Sequence, residues 1–376
     1  MSTRLKKWAG IVLFFINVLF ISISLLALLA FYLKPATWWP VAMAGLAFPF
    51  SIVIVAIFFI AWLFANRRRA LLNLVVLLVC SPAIYLSFGL HIFSSFNPSK
   101  PTGSIRVMTW NVGLMNYNTL DTVKAKENNL VIIQKIKEQD ADIVCLQEFF
   151  TSIQPGNHYN VMDSMAALLG YPYYYFSRDV PKIGAKFFAG TIIYSRYKIT
   201  DSSRHPFPFT GLYGGSVIKT GVLVGKDTID IVSTRLQLMR FNAEEYKELS
   251  SIKHISDSSF TSSRSLAGKL KTGYYFLSQQ ALTVRDVIRQ SNRPLIFMGD
   301  INDVPVSYTY ATTKGNMHDA WANAGRGIGK TFQYISPTLR LDEIFYDDHF
   351  RVKQVKRIMQ QGETDRNGVL ADLIIQ

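Results

Sequence analysis

The sequence predicts an α/β protein with two parts: an N-terminal anchor of three transmembrane helices, then a domain of two facing β-sheets with helices packed outside them. Three observations lead there. Residues 1–93 contain three long apolar runs without a charged side chain. The rest of the chain mixes amphipathic helical stretches with paired short strands, too much hairpin for a doubly wound parallel sheet and too much helix for an all-β sandwich. Several strand candidates in that second part end on clusters of polar side chains, the way a rigid element delivers chemistry to a cleft.

The runs 9–33, 41–65 and 70–93 are free of Lys, Arg, Asp and Glu, and each exceeds the ~20 residues that span a bilayer core. A cleaved signal peptide has a shorter apolar segment and is not followed by two further spans. Trp38 and Trp39 stand where the first loop meets the membrane interface. Arg4, Lys6 and Lys7 precede the first run and Arg67, Arg68 and Arg69 separate the second from the third, against a lone Lys34 in the first loop. Positive short loops stay in the cytoplasm, so the N-terminus is expected there, and three crossings carry everything past about residue 95 to the other side. No ionisable residue interrupts a span, so the runs read as a plain anchor rather than a transport path.

Charge is divided unevenly. The net charge is +14, but residues 1–103 hold eight of the 40 basic residues and no acidic one, which leaves +6 on the remaining 273. That residue of charge is a mild bias toward anionic ligands and too weak to point to nucleic acid. Cys80 lies in an apolar run and Cys145 in a strand candidate, and both read as buried thiols.

Residues 94–103 are polar and Pro-rich, a linker, and the second domain is expected over 104–376. Strands are predicted at 105–110, 143–147, 171–176, 190–194, 216–223, 229–234, 294–298, 342–346 and 369–375. Helices are predicted over 124–139 and 161–169, and over most of 244–290 with a Ser-rich break at 256–265. The stretch Leu295-Ile296-Phe297-Met298-Gly299-Asp300-Ile301-Asn302-Asp303-Val304-Pro305 is the clearest strand ending: an apolar run, a glycine, then two carboxylates and a carboxamide. Trp110-Asn111, Leu146-Gln147-Glu148, Arg340-Leu341-Asp342 and Thr364-Asp365-Arg366 are the others.

Taken in this order, those motifs resemble the endonuclease/exonuclease/phosphatase superfamily over residues 104–376. The arrangement is similar to a bacterial membrane-anchored subgroup, to which Gln237 with Arg240-Phe241 and Gln279-Gln280 also bear a likeness. The resemblance implies a four-layer α/β/β/α sandwich of the deoxyribonuclease I-like type and Mg²⁺-dependent hydrolysis of a phosphoester, with Mn²⁺ as an alternative metal. It implies Glu148 as principal metal ligand, helped by Asn111 and Asp365. Asp300 is expected to orient or deprotonate the attacking water and Asn302 to donate hydrogen bonds to a phosphate oxygen. Mg²⁺ prefers oxygen ligands and keeps several waters, so one or two carboxylates suffice.

Two departures bear on activity. The family's late Ser-Asp-His-x-Pro pattern reads Thr364-Asp365-Arg366-Asn367-Gly368, and its Thr-His-Leu pattern reads Thr234-Arg235-Leu236. Arginine stays charged near neutrality, so Arg235 and Arg366 are expected to grip phosphate without acting as bases, with Asp342 facing Arg366 as an ion pair. Either these arginines replace the histidines' charge, or turnover is lost and the domain is a phosphate-binding pseudoenzyme or scaffold. A nuclease ranks third, given the small net charge. Tethering favours a lipid-linked phosphoester, in a bacterial inner membrane with the domain on the periplasmic side. His158, His205, His254, His318 and His349 show no metal-ligand spacing, the aromatic stretch 171–176 reads as core packing, and the basic segment 253–271 as a solvated insertion.

Overall fold

The computed structural model describes residues 3–376 except 117–121, 155–159, 183–185, 209–214, 238–258, 335 and 363. Among the described residues, two helices are long and apolar enough to cross a membrane: α1 (Thr3–Leu28), continued by a 3₁₀ turn at Leu29–Phe31, and α2 (Trp39–Ala65). The predicted third span, 70–93, is not a straight one. α3 (Arg67–Val79) has 13 residues, about 20 Å at 1.5 Å per residue against ~30 Å of hydrocarbon, and the chain then bends by 61° into α4 (Ser81–Ser87). Pro82 in the first turn of α4 is the cause, since it has no N–H for the carbonyl of Leu78 and its ring excludes that carbonyl. Residues past Ser87 leave the helix and form β1 (Gly89–Leu90).

The helices are joined by amides rather than charges. Asn17 and Asn73 exchange two hydrogen bonds of 2.8 and 2.9 Å, and the Trp62 indole donates to Asn17 Oδ1 at 3.0 Å, so α1, α2 and α3 meet at one polar point. Arg69 reaches the Gly10 carbonyl at 3.2 Å and lies over the Phe14 and Trp62 rings, which puts the basic loop beside the start of α1. The stretch 94–103 lies against the second domain: the Asn97 amide donates to Gln354 Oε1 at 2.9 Å, and Phe96 packs beneath Arg106.

That domain has β2 (Ser104–Asn111), α5 (Thr122–Gln139), β3 (Ile143–Ser152), α6 (Met162–Leu169), β4 (Tyr173–Phe176), β5 (Val180–Lys182), β6 (Phe187–Ser195), β7 (Ile199–Pro206), β8 (Ser216–Val224) and β9 (Asp227–Arg235). It continues with α7 (Ser259–Arg289), β10 (Leu295–Asp300), α8 (Tyr308–Lys314), β11 (His318–Asp319), α9 (Ala320–Ala324), β12 (Arg326–Gly327), β13 (Asp342–Tyr346), β14 (Phe350–Ile358) and β15 (Gly368–Ile375). One sheet has the order β14-β15-β2-β3-β6-β4, with β5 also on β6; the other is β11-β13-β10-β9-β8-β7. Both are mixed: β2 with β3 and β9 with β10 are parallel.

The sheets face each other across Ile105, Val107, Ile143 and Cys145 on one side and Ile229, Ile231, Ile296, Met298 and Ile344 on the other. Ile132 and Ile136 of α5 and Met165 of α6 cover the outer face of the first sheet at Met108 and Val144. Tyr274, Leu277, Ala281 and Val284 form one face of α7 and cover the second at Val232 and Phe297. The result is the predicted α/β/β/α order. The expected break at 256–265 is corrected where it is described: α7 is continuous from Ser259, because serine only mildly disfavours a helix that the packed turns after Tyr274 already establish.

Candidate active site

Strand parity carries the polar ends to one place. Residues i and i+2 share a face of a strand, so the inward sets Ile105, Val107, Thr109, Asn111 on β2 and Ile229, Ile231, Ser233, Arg235 on β9 end on functional groups. Ile296, Met298, Asp300 on β10 and Ile344, Asp342 on β13 do the same. Register aligns Asp300 with Arg235 on one neighbour and Asp342 on the other. Below this layer Gln147 Nε2 donates to Thr109 Oγ1 at 3.0 Å and across the sheets to Ser233 Oγ at 3.1 Å, closing the core beneath the site.

Glu148 arrives by an irregularity. The β3–β6 pairing slips between Leu146 and Phe149, and Glu148 adopts φ 49°, a left-handed conformation costing a non-glycine residue about 1–2 kcal/mol. Its carboxylate then meets Asn111, whose Nδ2 is 3.1 Å from Oε1 and 2.9 Å from Asp300 Oδ2.

Asp300 is fully buried and both its oxygens are engaged. Oδ2 also takes Arg366 Nη2 at 3.1 Å, and Oδ1 accepts the Asn302 amide at 2.9 Å. Asn302, at φ 53°, completes this turn with Nδ2 on the Leu236 carbonyl, and its Oδ1 accepts from Arg366 Nη2 at 3.2 Å. The guanidinium of Arg366 is buried over the Phe332 ring at 4.6 Å, and its backbone carbonyl accepts from Trp110 Nε1. Its pair with Asp342 exists but is long, 3.7 Å, and Asp300 is the nearer partner. The expectation of an arginine open to grip phosphate is therefore corrected for Arg366: burial draws its charge onto Asp300 and Asn302.

Neither oxygen of Asp342 accepts a hydrogen bond. Burial, reinforced by the charge of Asp300 and opposed by Arg366, pushes this carboxyl up to about 8, so it holds its proton at neutral pH. Asp365 is also raised, by burial first, with Arg366 opposing and Glu148 adding to it, which places it within the same field. Arg235 Nε lies 2.7 Å from Glu148 Oε1 and 4.0 Å from Asp300 Oδ2, yet makes no directed hydrogen bond. The eight expected site residues thus form one cluster in which, with Asp342 protonated, the three carboxyl groups of Glu148, Asp300 and Asp365 still outnumber Arg235 and Arg366.

An excess of acid over base suits a divalent cation. Glu148 alone of the directly paired acids is partly open, with 17% of its side chain exposed, while Asp300 and Asp342 are sealed. Asn111 turns its Nδ2 toward Glu148 and accepts the Gly113 amide on Oδ1, so it holds the carboxylate in place instead of sharing a metal with it. Among the described residues no three His, Cys, Asp or Glu side chains gather as a metal cage. The donor set fits Mg²⁺ held by Glu148 and waters, with Arg235 competing for the same oxygen.

Two contributors carry no sequence motif: Phe332 under Arg366, and Thr331, whose hydroxyl accepts the Leu341 and Asp342 amides at 2.9 and 3.2 Å. Gln237 and Gln280 form a reciprocal backbone-to-amide pair joining the end of β9 to α7. Arg240, Phe241, His158, His254 and the segment 253–258 lie outside the described residues.

Two mixed sheets between helical layers, with acids, amides and guanidiniums at the facing strand ends, define an α/β sandwich hydrolase fold. The chain belongs to the endonuclease/exonuclease/phosphatase family, whose sequence model matches residues 108–365. Residues 10–86 match a second family model, a domain of unknown function (DUF8431). No curated protein matches the chain. Solved structures share the fold. An endonuclease/exonuclease/phosphatase from Beutenbergia cavernae is 21% identical over 72% of each chain, with a TM-score of 0.52. One from Bacteroides vulgatus is 20% identical over 73% of this chain and 99% of its own, TM-score 0.50. The human Nocturnin catalytic domain with bound sulfate is 18% identical over 73% and 94%, TM-score 0.50.

Proposed function

We propose that the chain is a membrane-anchored, Mg²⁺-dependent phosphoester hydrolase, acting on a phosphodiester or phosphomonoester, with Mn²⁺ able to replace Mg²⁺. The observation that carries this reading is the meeting of Asn111, Glu148, Asp300, Asn302 and Arg366, from both sheets, within hydrogen-bonding distance of one another. Glu148, with Asp365 nearby, would hold the metal, which would supply Lewis acidity toward a phosphoryl oxygen and a more acidic water. The chain's own residues do the rest. Asp300 takes the proton of the attacking water while Asn111 and the Asn302 amide fix its orientation. Arg366, held on Asp300 and Asn302, keeps a buried positive charge behind the site, while Arg235 brings a more open positive charge to the edge of the cleft, where it stabilises charge building on the phosphate. Protonated Asp342 avoids a further negative charge behind Asp300.

The anchor reading is that α1, α2 and the bent α3–α4 pair, taken as one broken span, make three crossings and hold the domain on the outer, periplasmic face of a bacterial inner membrane, where a lipid-linked phosphoester is within reach and nucleic acid is disfavoured by the small net charge. In its support, Arg69 and Gly10 gather the basic residues at one end of the helices. The catalytic domain packs on the other end, through Val306 against Ala44 and Phe48 and through Arg340 on the Leu86 carbonyl.

A second reading, a phosphate-binding pseudoenzyme, is favoured by one feature: guanidiniums already sit on Glu148 and Asp300 where the family has histidines. Purified full chain in detergent, given an activated phosphodiester with Mg²⁺ or Mn²⁺, separates the two. The hydrolase reading expects turnover that Asp300→Ala lowers by about 100-fold or more. A silent wild-type chain that gains turnover on Arg366→His supports the pseudoenzyme. A metal that changes neither rate nor thermal stability contradicts both.

A further inference from the structure

The segment that follows the catalytic strand rests on a membrane helix. At Gly45 in α2 a Cβ would overlap the carbonyl oxygen of Val306, so the helix backbone and the loop after Asn302 are in direct contact. Glycine inside a helix costs roughly 0.5–1 kcal/mol relative to alanine, which the close approach offsets. Val306 is buried in the anchor's own apolar cluster with Ala44, Phe48 and Ile52.

One residue further along α2, Leu46 packs on a second cluster made of Val304, Phe332 and Leu341. All three adjoin the site in sequence or in space. Val304 is two residues beyond Asn302, Phe332 supports the Arg366 guanidinium, and the Leu341 carbonyl accepts the Ile301 amide at 2.8 Å. A third tie comes from Arg340, buried beside Asp342's strand. It donates to the Leu86 carbonyl at the end of α4 at 2.8 Å while its other bonds go to Asp319 and Glu343.

We infer that α2 is a positioning element of the active site: Gly45 and Leu46 seat the 303–306 loop and Phe332, and through them fix Asn302 and Arg366. The anchor then does more than tether. It completes the wall against which the catalytic turn is held, and the inference rests on the hydrolase reading only where it concerns rate.

The test uses the full chain in detergent, with Gly45→Leu and Leu46→Ala compared with Gly10→Leu, whose added side chain begins where nothing lies within 4 Å. Hydrogen exchange is followed at residues 300–307 and 331–334, and kcat and KM are measured on an activated phosphodiester. Both variants should speed exchange in those two segments alone. Gly45→Leu should lower kcat by about 10-fold or more with KM nearly constant, as expected when a catalytic group shifts by a fraction of an ångström, and Gly10→Leu should do neither. If Gly45→Leu does not fold, Leu46→Ala carries the test alone. Exchange and kcat that match the wild type in the folded variants would overturn the inference. A wild-type chain without turnover would instead remove the hydrolase reading, and exchange alone would then decide.

Discussion

Arg235 and Arg366 are the same residue type with different freedom. Arg366 is stacked, buried and bonded to Asp300 and Asn302, so it is a fixed charge; Arg235 lies at the edge, its Nε 2.7 Å from Glu148 Oε1 but without a directed hydrogen bond from that nitrogen. Removing Arg235 should release the Glu148 oxygen it faces, and Arg235→Ala should bind Mn²⁺ about tenfold more tightly by calorimetric titration. An unchanged affinity would mean that the guanidinium does not compete. Asp342 gives a pH signature. Its folded carboxyl is raised to about 8, so the folded chain keeps a proton that the unfolded chain loses near pH 4, and stability falls as pH rises through that window. Asp303, raised by burial to about 6, contributes in the same direction but only up to that pH. Asp342→Asn should therefore flatten the decline in Tm between about pH 6 and 8, read by thermal denaturation in matched buffers.

The elements show what could be read from sequence and why. β2, β10 and β13 were visible because each alternates inward apolar residues with a polar one at the site end, the last residue of β2 and β10 and the first of β13, and the same parity assembles the site. β7 and β14 were not: Ile199–Pro206 is polar and largely exposed, and Phe350–Ile358 carries four basic residues on an outer strand. Glu148 was named by its motif, but the bulge and left-handed φ that aim it leave no signature in residue type. The third apolar run was read as a span because composition ignores what Pro82 does to a helix. Phe332 was missed because nothing local links it to Arg366, 34 positions away. Phe332→Ala should lower stability by ~3 kcal/mol, as for other buried aromatics, and reduce kcat by freeing the guanidinium. Denaturant titration and steady-state rates check both parts, and a normal rate in the destabilised variant would show that the ring only packs.

At the scale of the whole molecule, the basic loop and the second domain lie at opposite ends of the N-terminal helices. Cys80 and Cys145 are both buried, so a cysteine placed at exposed Ser99 reports topology with little background. Ser99→Cys should react with a membrane-impermeant maleimide in intact spheroplasts, and reaction only after permeabilisation would reverse the orientation. Anchor, loop and site form a continuous body, and the function proposed for it depends on a divalent cation at Glu148 facing a phosphorus centre. The most direct measurement is the metal dependence of phosphodiester hydrolysis by the full chain beside Glu148→Gln. The wild-type rate should rise with Mg²⁺ and vanish on chelation, and the variant should lose that response. A rate indifferent to chelation, or a variant that keeps the full Mg²⁺ response, would contradict it.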